Sequence, residues 1–336
     1  MKTSWVPLWI ASAIWFVIAL VSMSCGSSTI PWQSYLDLIT GSDALDPTHR
    51  TILLQIRLPR VIVASCVGGS LAAAGVGFQG LFRNPLAEPY IIGASSGAAL
   101  GVSIAIVLGL QSTLFGLSST AVLAFFGAIS VVLLVLIIGL SSRSISVTTM
   151  LLAGVVLGSM VNAIVSALMF FFDQKAVIIL GWLLGSFASS HWGTATLVSL
   201  LGFLGCIGTL MHSRGLDAYS LGDEAARSLG LELLRFRIGI ILSCTLLTAA
   251  SVSVAGVIGF VGLVAPHLAR NIVVSRHAFI IPMSILLGAS LMLLADMVAR
   301  TVIAPVEMPV GIITAILGSP VFLWLLLNKR ARAAGG

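Results

Sequence analysis

Ser95 lies in "GASSG" (Gly93 to Gly97), which fits the short G-x-S-x-G pattern of a serine nucleophile. That chemistry needs the serine on a sharp strand-to-helix elbow, with a histidine and an acid in reach. Here it sits in a run of small residues that opens an apolar stretch, and His191, His267 and His277 belong to distant segments. Hydrolytic chemistry finds no support. A phosphate-binding loop needs a lysine after a glycine. The only lysines, Lys2, Lys175 and Lys329, follow Met1, Gln174 and Asn328. If ATP drives this chain, another subunit binds it. The four cysteines, Cys25, Cys66, Cys206 and Cys244, form no C-x-x-C pair. They read as small apolar fillers rather than ligands. No histidine or cysteine stands at ligand spacing beside His267, so no metal is assigned.

The carboxylates are the remaining reactive groups. Nearly all fall between apolar stretches, and Asp296 stands four residues before Arg300, the spacing of a helical ion pair. An ion-coupled secondary transporter needs ionisable groups at mid-membrane. The near-chargeless core speaks against a proton relay, and this class is kept as the alternative function.

The elements that carry these residues follow from composition. The chain is 58% hydrophobic and 8% charged, with a mean hydropathy of +1.14. A soluble domain is about half apolar and a quarter charged. Apolar runs long enough to cross roughly 30 Å of hydrocarbon as helices lie at about 4–24, 61–81, 91–110, 121–140, 149–172, 194–211, 236–257, 259–274, 279–297 and 310–328. The expectation is an all-α integral membrane protein of ten spans, forming one transmembrane domain over 1–336, with both termini on one side. The 259–274 span carries Pro266 and follows Gly256 and Gly259, which predicts a broken or tilted element. Gly181 to Ala188 reads as a short helix that does not cross. The first run, longer than a signal-peptide core of roughly 7–15 residues, reads as a retained helix. "GAALG" (Gly97, Gly101), "GVVLG" (Gly154, Gly158) and "GWLLG" (Gly181, Gly185) let helix backbones approach closely.

Charge orients the bundle. With the N-terminus inside, Lys2, Arg83, Arg143, Arg214, Arg227, Arg235, Arg237, Arg270, Arg276, Lys329, Arg330 and Arg332 fall on the inner side. Only Arg50, Arg57, Arg60, Lys175 and Arg300 fall outside. This bias marks the cytoplasmic face, so the net charge of +6 is a topology signal and calls for no nucleic acid.

On that face lies "HSRGLDAYSLGDEAARSLGLELLRFR" (His212 to Arg237), a polar, helix-prone segment in an oily chain. Asp217 or Ser220 can cap a short helix, Asp223 and Glu224 suit its first turn, and Gly230 can end it. Leu221, Ala225 and Leu229 would share one side, able to seat in a groove on a partner. An ordinary solvated loop is the other reading.

Within this segment "EAARSLG" (Glu224 to Gly230) resembles the ATPase-docking loop of ABC importer permeases. "QIRLPR" (Gln55 to Arg60), "FQGLFRNPLAEPYIIGASSGAALG" (Phe78 to Gly101), "LLAGVVLG" (Leu151 to Gly158), "SLGDEAARSLGL" (Ser220 to Leu231), "GVIGFVGLVAPHLAR" (Gly256 to Arg270), "GASLMLLADMVAR" (Gly288 to Arg300) and "EMPVGIITAILGSPVFLWLLL" (Glu307 to Leu327) narrow it. In this order they resemble the FecCD-type permeases of type II importers for iron-siderophore, haem and cobalamin uptake. One departure stands out: after "PHLARN" many relatives carry an acidic Asp-His-Arg turn, whereas this chain has "VVSRHAFIIP".

The resemblance implies a ten-helix permease, a homodimer with the pathway on its axis, a pair of cytoplasmic ABC ATPases that hold ATP and Mg, and an extracytoplasmic substrate-binding protein. This chain would hold no cofactor and catalyse no bond chemistry. It would sit in a prokaryotic inner membrane with both termini cytoplasmic. It further implies ATPase coupling by Leu221, Gly222, Asp223, Glu224, Ala225, Ala226, Ser228, Leu229 and Gly230. Arg57, Arg60 and Arg300 would face the binding protein, with headgroup snorkelling as the other reading. Val147 and Thr148 would stand at the cytoplasmic gate, with a capped helix start as the other reading. The expected cargo is a ferric siderophore, then haem, then cobalamin.

Overall fold

The computed structural model describes residues 5–26, 28–41, 45–110, 112–114, 116–141 and 147–334. Lys2, Asp43, Arg143 and the Ser144 to Ser146 start of the fifth span lie outside the described residues, as do the side chains of Lys329, Arg330 and Arg332. The chain runs α1 (Trp5–Ser24), α2 (Trp32–Thr40), α3 (Pro47–Thr51), a π-helical turn (Ile52–Arg57), α4 (Leu58–Leu81), α5 (Ala94–Val107), β1 (Thr113–Leu114), β2 (Leu117–Ser118), α6 (Ser119–Ser141), α7 (Val147–Phe171), α8 (Asp173–Leu183), α9 (Trp192–Met211), α10 (Ser213–Tyr219), α11 (Asp223–Ser228), α12 (Leu233–Ala255), α13 (Val261–Ile272), α14 (His277–Thr301) and α15 (Val310–Ala334). Helices dominate because hydrocarbon offers backbone N–H and C=O groups no partner outside the helix. The two strands form one small antiparallel pair.

Every expected span holds one helix, but among the described residues only seven helices are long and apolar enough to cross a membrane. The shortfall has local causes. α5 begins at Ala94, because Pro89 and the turn through Gly93 keep the preceding residues out of a helix. α13 is short because the chain breaks at Gly256 to Phe260, as the glycines predict, while Pro266 is carried inside the helix without breaking it. The short non-crossing helix is displaced from the expected Gly181 to Ala188. It is α8, which ends at Leu183 because Gly185 turns to φ 72°.

α4 is the central post, buried along nearly its whole length and packed by α9, α12, α13 and α14. Glycine permits this. A Cβ on Gly75 would strike the Gly262 carbonyl, and one on Gly68 the Gly288 carbonyl. The α5–α6 pair is joined the same way through Gly97 and Gly127. In "GWLLG", however, a Cβ on Gly181 would meet nothing within 4 Å, so that residue makes no close helix contact within the chain. Three chain breaks meet and satisfy one another: Ser186 donates to Ala255 O at 2.9 Å, Val310 to Gly185 O at 2.9 Å and Gly311 to Leu184 O at 3.1 Å. Ser95 lies in the first turn of α5, not on a strand-to-helix elbow.

Candidate functional site

The polar residues gather at opposite ends of the bundle. One gathering is built on α10 and α11. α11 starts after Gly222, which takes the N-cap position with no side-chain cap. Asp217 and Ser220, the expected caps, are engaged elsewhere because α10 already occupies that stretch. Ser220 Oγ donates to the Asp217 carbonyl at 2.6 Å. Asp217 Oδ1 accepts the His277 backbone N–H at 3.0 Å and faces His277 Nδ1 at 2.6 Å, tying α10 to the start of α14. Gly230 does end α11, at φ 83°. Its N–H donates to Arg227 O and that of Leu231 to Ala226 O, the paired closure that left-handed glycine allows.

The first residue of α11 is its anchor. Asp223 accepts from Arg83 Nη2 at 2.7 Å through Oδ1 and from Arg237 Nη2 through Oδ2. Arg83 also donates to Tyr219 O from Nε at 3.0 Å and Nη2 at 2.7 Å, with its guanidinium 3.9 Å from the Tyr219 ring centroid. Thus α11 is clamped to the end of α4 and the start of α12. Burial by itself would raise the Asp223 carboxyl. Hydrogen bonding and charge from Arg83 and Arg237 outweigh that and hold it below the usual carboxylate range. Ala226 is buried beneath, whereas Leu221, Glu224, Ser228, Leu229 and Gly230 are exposed. Ala225 and Gly222 are half-buried. The expected coupling residues therefore divide into an inward anchor, Asp223 and Ala226, and an outward set led by Leu221 and Leu229.

At the opposite end stand Arg57, Arg60 and Arg300. The expectation that they project toward a partner is corrected: they are 3%, 7% and 4% exposed. Arg60 reaches Asp296 through Nε and Nη2, the latter at 2.8 Å, and Glu307 through Nη1 at 2.9 Å. Arg300 Nε lies 3.1 Å from Asp296 Oδ2, the i,i+4 pair that the sequence predicts. Its terminal nitrogens donate to Cys25 O at 3.0 Å and Ser22 Oγ at 2.8 Å. Arg57 Nη1 donates to Met23 O at 2.9 Å, Ser24 O at 3.1 Å and Tyr35 Oη at 3.0 Å. The last carbonyls of α1 have no helical partner of their own, and the two arginines fill that need. Sequence spacing could not show this, because Asp296 lies 236 residues from Arg60.

A third element was missed. Glu88, counted with the loop carboxylates, folds back to the α12–α13 break, where Oε1 accepts the Phe260 N–H at 2.9 Å. Tyr90 Oη accepts the Ile258 N–H at 3.3 Å. Phe260 is held at φ 69°, unusual for a side chain of its size. The only sequence signal was an acid between prolines (Pro85, Pro89) beside an apolar run. Val147 and Thr148 open α7, Val147 half-buried against the core and Thr148 exposed.

Comparison with known proteins adds to this geometry. The model of the FecCD transport family matches residues 14–328. The hemin transport system permease protein of Yersinia pestis is 38% identical over 321 residues, 95% of this chain and 94% of that one. The vitamin B12 import system permease protein of Klebsiella pneumoniae is 36% identical over 320 residues, 94% of this chain and 92% of that one. A solved chain of metal-chelate type from an ABC transporter, in an inward-facing conformation, superposes with a TM-score of 0.84 at 32% identity, covering 96% of this chain and 98% of its own.

Proposed function

This chain belongs to the FecCD transport family and is a transmembrane permease subunit of a type II ABC importer of metal chelates; from that premise we propose how it is driven and what it carries. A separate pair of ABC ATPases binds ATP and Mg and seats α11 in a groove on each. The observation that carries this is the two-sided construction of α11. Its Asp223 end is clamped to α4 and α12, and the flanking Leu221 and Leu229 are open, 68% and 66% exposed. A helix held firmly at one side and bare at the other passes a push from a partner into the two helices that hold it.

Two copies of the chain form the pathway between them, with Val147 and Thr148 at its cytoplasmic gate. The protein sits in a bacterial inner membrane with α10, α11 and both termini in the cytoplasm, in keeping with the basic bias of that face. An extracytoplasmic protein delivers the cargo to the other end. There the three arginines hold the docking face together from beneath, since their donors are engaged within the chain. The cargo is a bulky metal chelate, a ferric siderophore or haem first and cobalamin next. The names of the relatives, one for hemin and one for vitamin B12, support this range. Ion-coupled transport is not favoured.

The test is Leu229→Glu in the outward set. The variant should express and dimerise, yet lose its ATPase subunits or the stimulation of ATP turnover by the binding protein. Normal stoichiometry together with normal stimulated turnover would remove α11 from the coupling role. For the gate, Val147→Cys or Thr148→Cys in a chain freed of native cysteines should cross-link between copies, with a yield that changes when ATP is trapped. A dimeric preparation that gives no cross-linked product removes both residues from the gate.

A further inference from the structure

Arg270 is the only Asp, Glu, Lys or Arg between Arg237 and Arg276. It closes α13, partly buried, and Nη1 donates to Gln79 Oε1. Among the described residues it has no carboxylate partner. That sets it apart from the fully buried arginines and from Arg83 on the same wall. Arg60, Arg83, Arg237 and Arg300 each meet a carboxylate, and Arg57 meets several carbonyl oxygens. A guanidinium carries five N–H donors. Taking one out of water against a single neutral amide leaves its charge uncompensated.

The space in front of it is shaped to supply the compensation. A cavity of about 360 Å³ is lined by Arg83, Ser220, His267, Arg270, Asn271 and His277, with Gln79, Gly80 and Pro85 completing the wall. Its volume is at the small end of ligand pockets, roughly 300–1,000 Å³. No carboxylate lines it. Among the described residues, Asp217 meets His277 Nδ1 and Asp223 is shared by Arg83 and Arg237, and neither carboxylate is in the lining. With Nδ1 so engaged, His277 Nε2 is turned toward Gly80 at the cavity wall. Counting these neighbours, three guanidinia face two carboxylates before either imidazole takes a proton.

We propose that this cavity is an anion site for a phosphate group, held by Arg270 with Asn271, His267 and His277 around it. A tetrahedral oxyanion matches an arginine fork and scattered N–H donors. Because Ser220 of the coupling segment shares the wall with α13 and α14, an occupant restrains α10 against both helices. The site lies at the end of the bundle that carries α11, where a phospholipid headgroup and soluble phosphate are both sources. It does not depend on the coupling role given to Leu229.

The test uses the full chain in two arms. Delipidated protein in detergent is titrated with inorganic phosphate, against chloride at equal ionic strength, and followed by calorimetry. Protein in nanodiscs of phosphatidylglycerol or phosphatidylcholine is examined for retained lipid by native mass spectrometry. Wild type should hold one phosphate-bearing ligand per chain in at least one arm. Arg270→Gln should weaken that binding about tenfold or more, and Arg270→Lys less. Arg276→Gln removes an exposed neighbouring charge outside the cavity wall and should change nothing. Binding in the lipid arm alone names the headgroup as the source, and binding in the phosphate arm alone names the soluble ion. The proposal is overturned if wild type binds neither, or if Arg270→Gln and Arg276→Gln bind alike. Should Arg270→Gln fail to fold, wild-type stoichiometry and the loss in Arg270→Lys decide.

Discussion

Two gatherings of arginine around aspartate, one at each end of the bundle, use the same groups for opposite ends. At Asp296 the side chains of Arg60 and Asp296 are 8% and 1% exposed. At Asp223 those of Arg83 and Asp223 are 38% and 36% exposed, and Arg237 behind them is 10% exposed, so it is the Arg83–Asp223 pair that meets water. Buried, the pair is a fixture, because neither charge can leave without an unpaired partner staying behind. Half-solvated, it is a joint, because water takes over whatever the pair gives up. In the coupling proposed above, burial rather than the count of ion pairs separates the end that stays rigid from the end that moves.

The largest break in that comparison is Asp296→Ala. It takes the shared carboxylate from two buried guanidinia and should cost about 3–5 kcal/mol. The purified chain should denature at a much lower temperature, and little folded protein should be recovered. A mild effect would mean that the cluster is not a fixture. Asp223→Ala should cost less, about 1–2 kcal/mol, because it takes the carboxylate from one buried guanidinium, Arg237, and one half-exposed one, Arg83, while uncoupling ATP turnover from the binding protein. If both aspartates proved equal in thermal denaturation, the contrast would fail.

Acid sharpens the contrast further. The Asp223 carboxyl is held below its ordinary 3.8. A depressed carboxylate lends its stability above that value and loses it as pH falls through the lower folded value. A fluorescent label on Ser228→Cys should therefore report unchanged order in α11 from pH 8 to 5, and loosening only below 3.8. Loosening already between pH 8 and 5 would show that the Asp223 clamp is not what orders α11. The smallest effect belongs to the exposed Glu232–Arg235 pair at 2.9 Å. Glu232→Gln should shift denaturation by under about 0.5 kcal/mol, and a larger shift would show that exposure does not rank these contacts.

The helices of the ten expected spans were legible in the sequence, and what the molecule is for was legible in the motifs that resemble the FecCD-type permeases. Helix placement follows from uninterrupted apolar runs, and lipid leaves such runs one way to satisfy their backbone. The break before α13 was legible in Gly256 and Gly259, and the end of α11 in Gly230, because glycine acts locally. The Asp296–Arg300 pair was legible because four residues is one helical step. Packing settled which way Arg57, Arg60 and Arg300 point, that Asp223 turns inward while Leu229 turns outward, and that Glu88 reaches the α12–α13 break. It also decided that Arg270 stands before a cavity without a carboxylate. Each of these depends on a partner brought from a distant part of the chain, such as Asp296 to Arg60 across 236 residues. The energy that selects such a partner is desolvation, which exists only once the helices have packed.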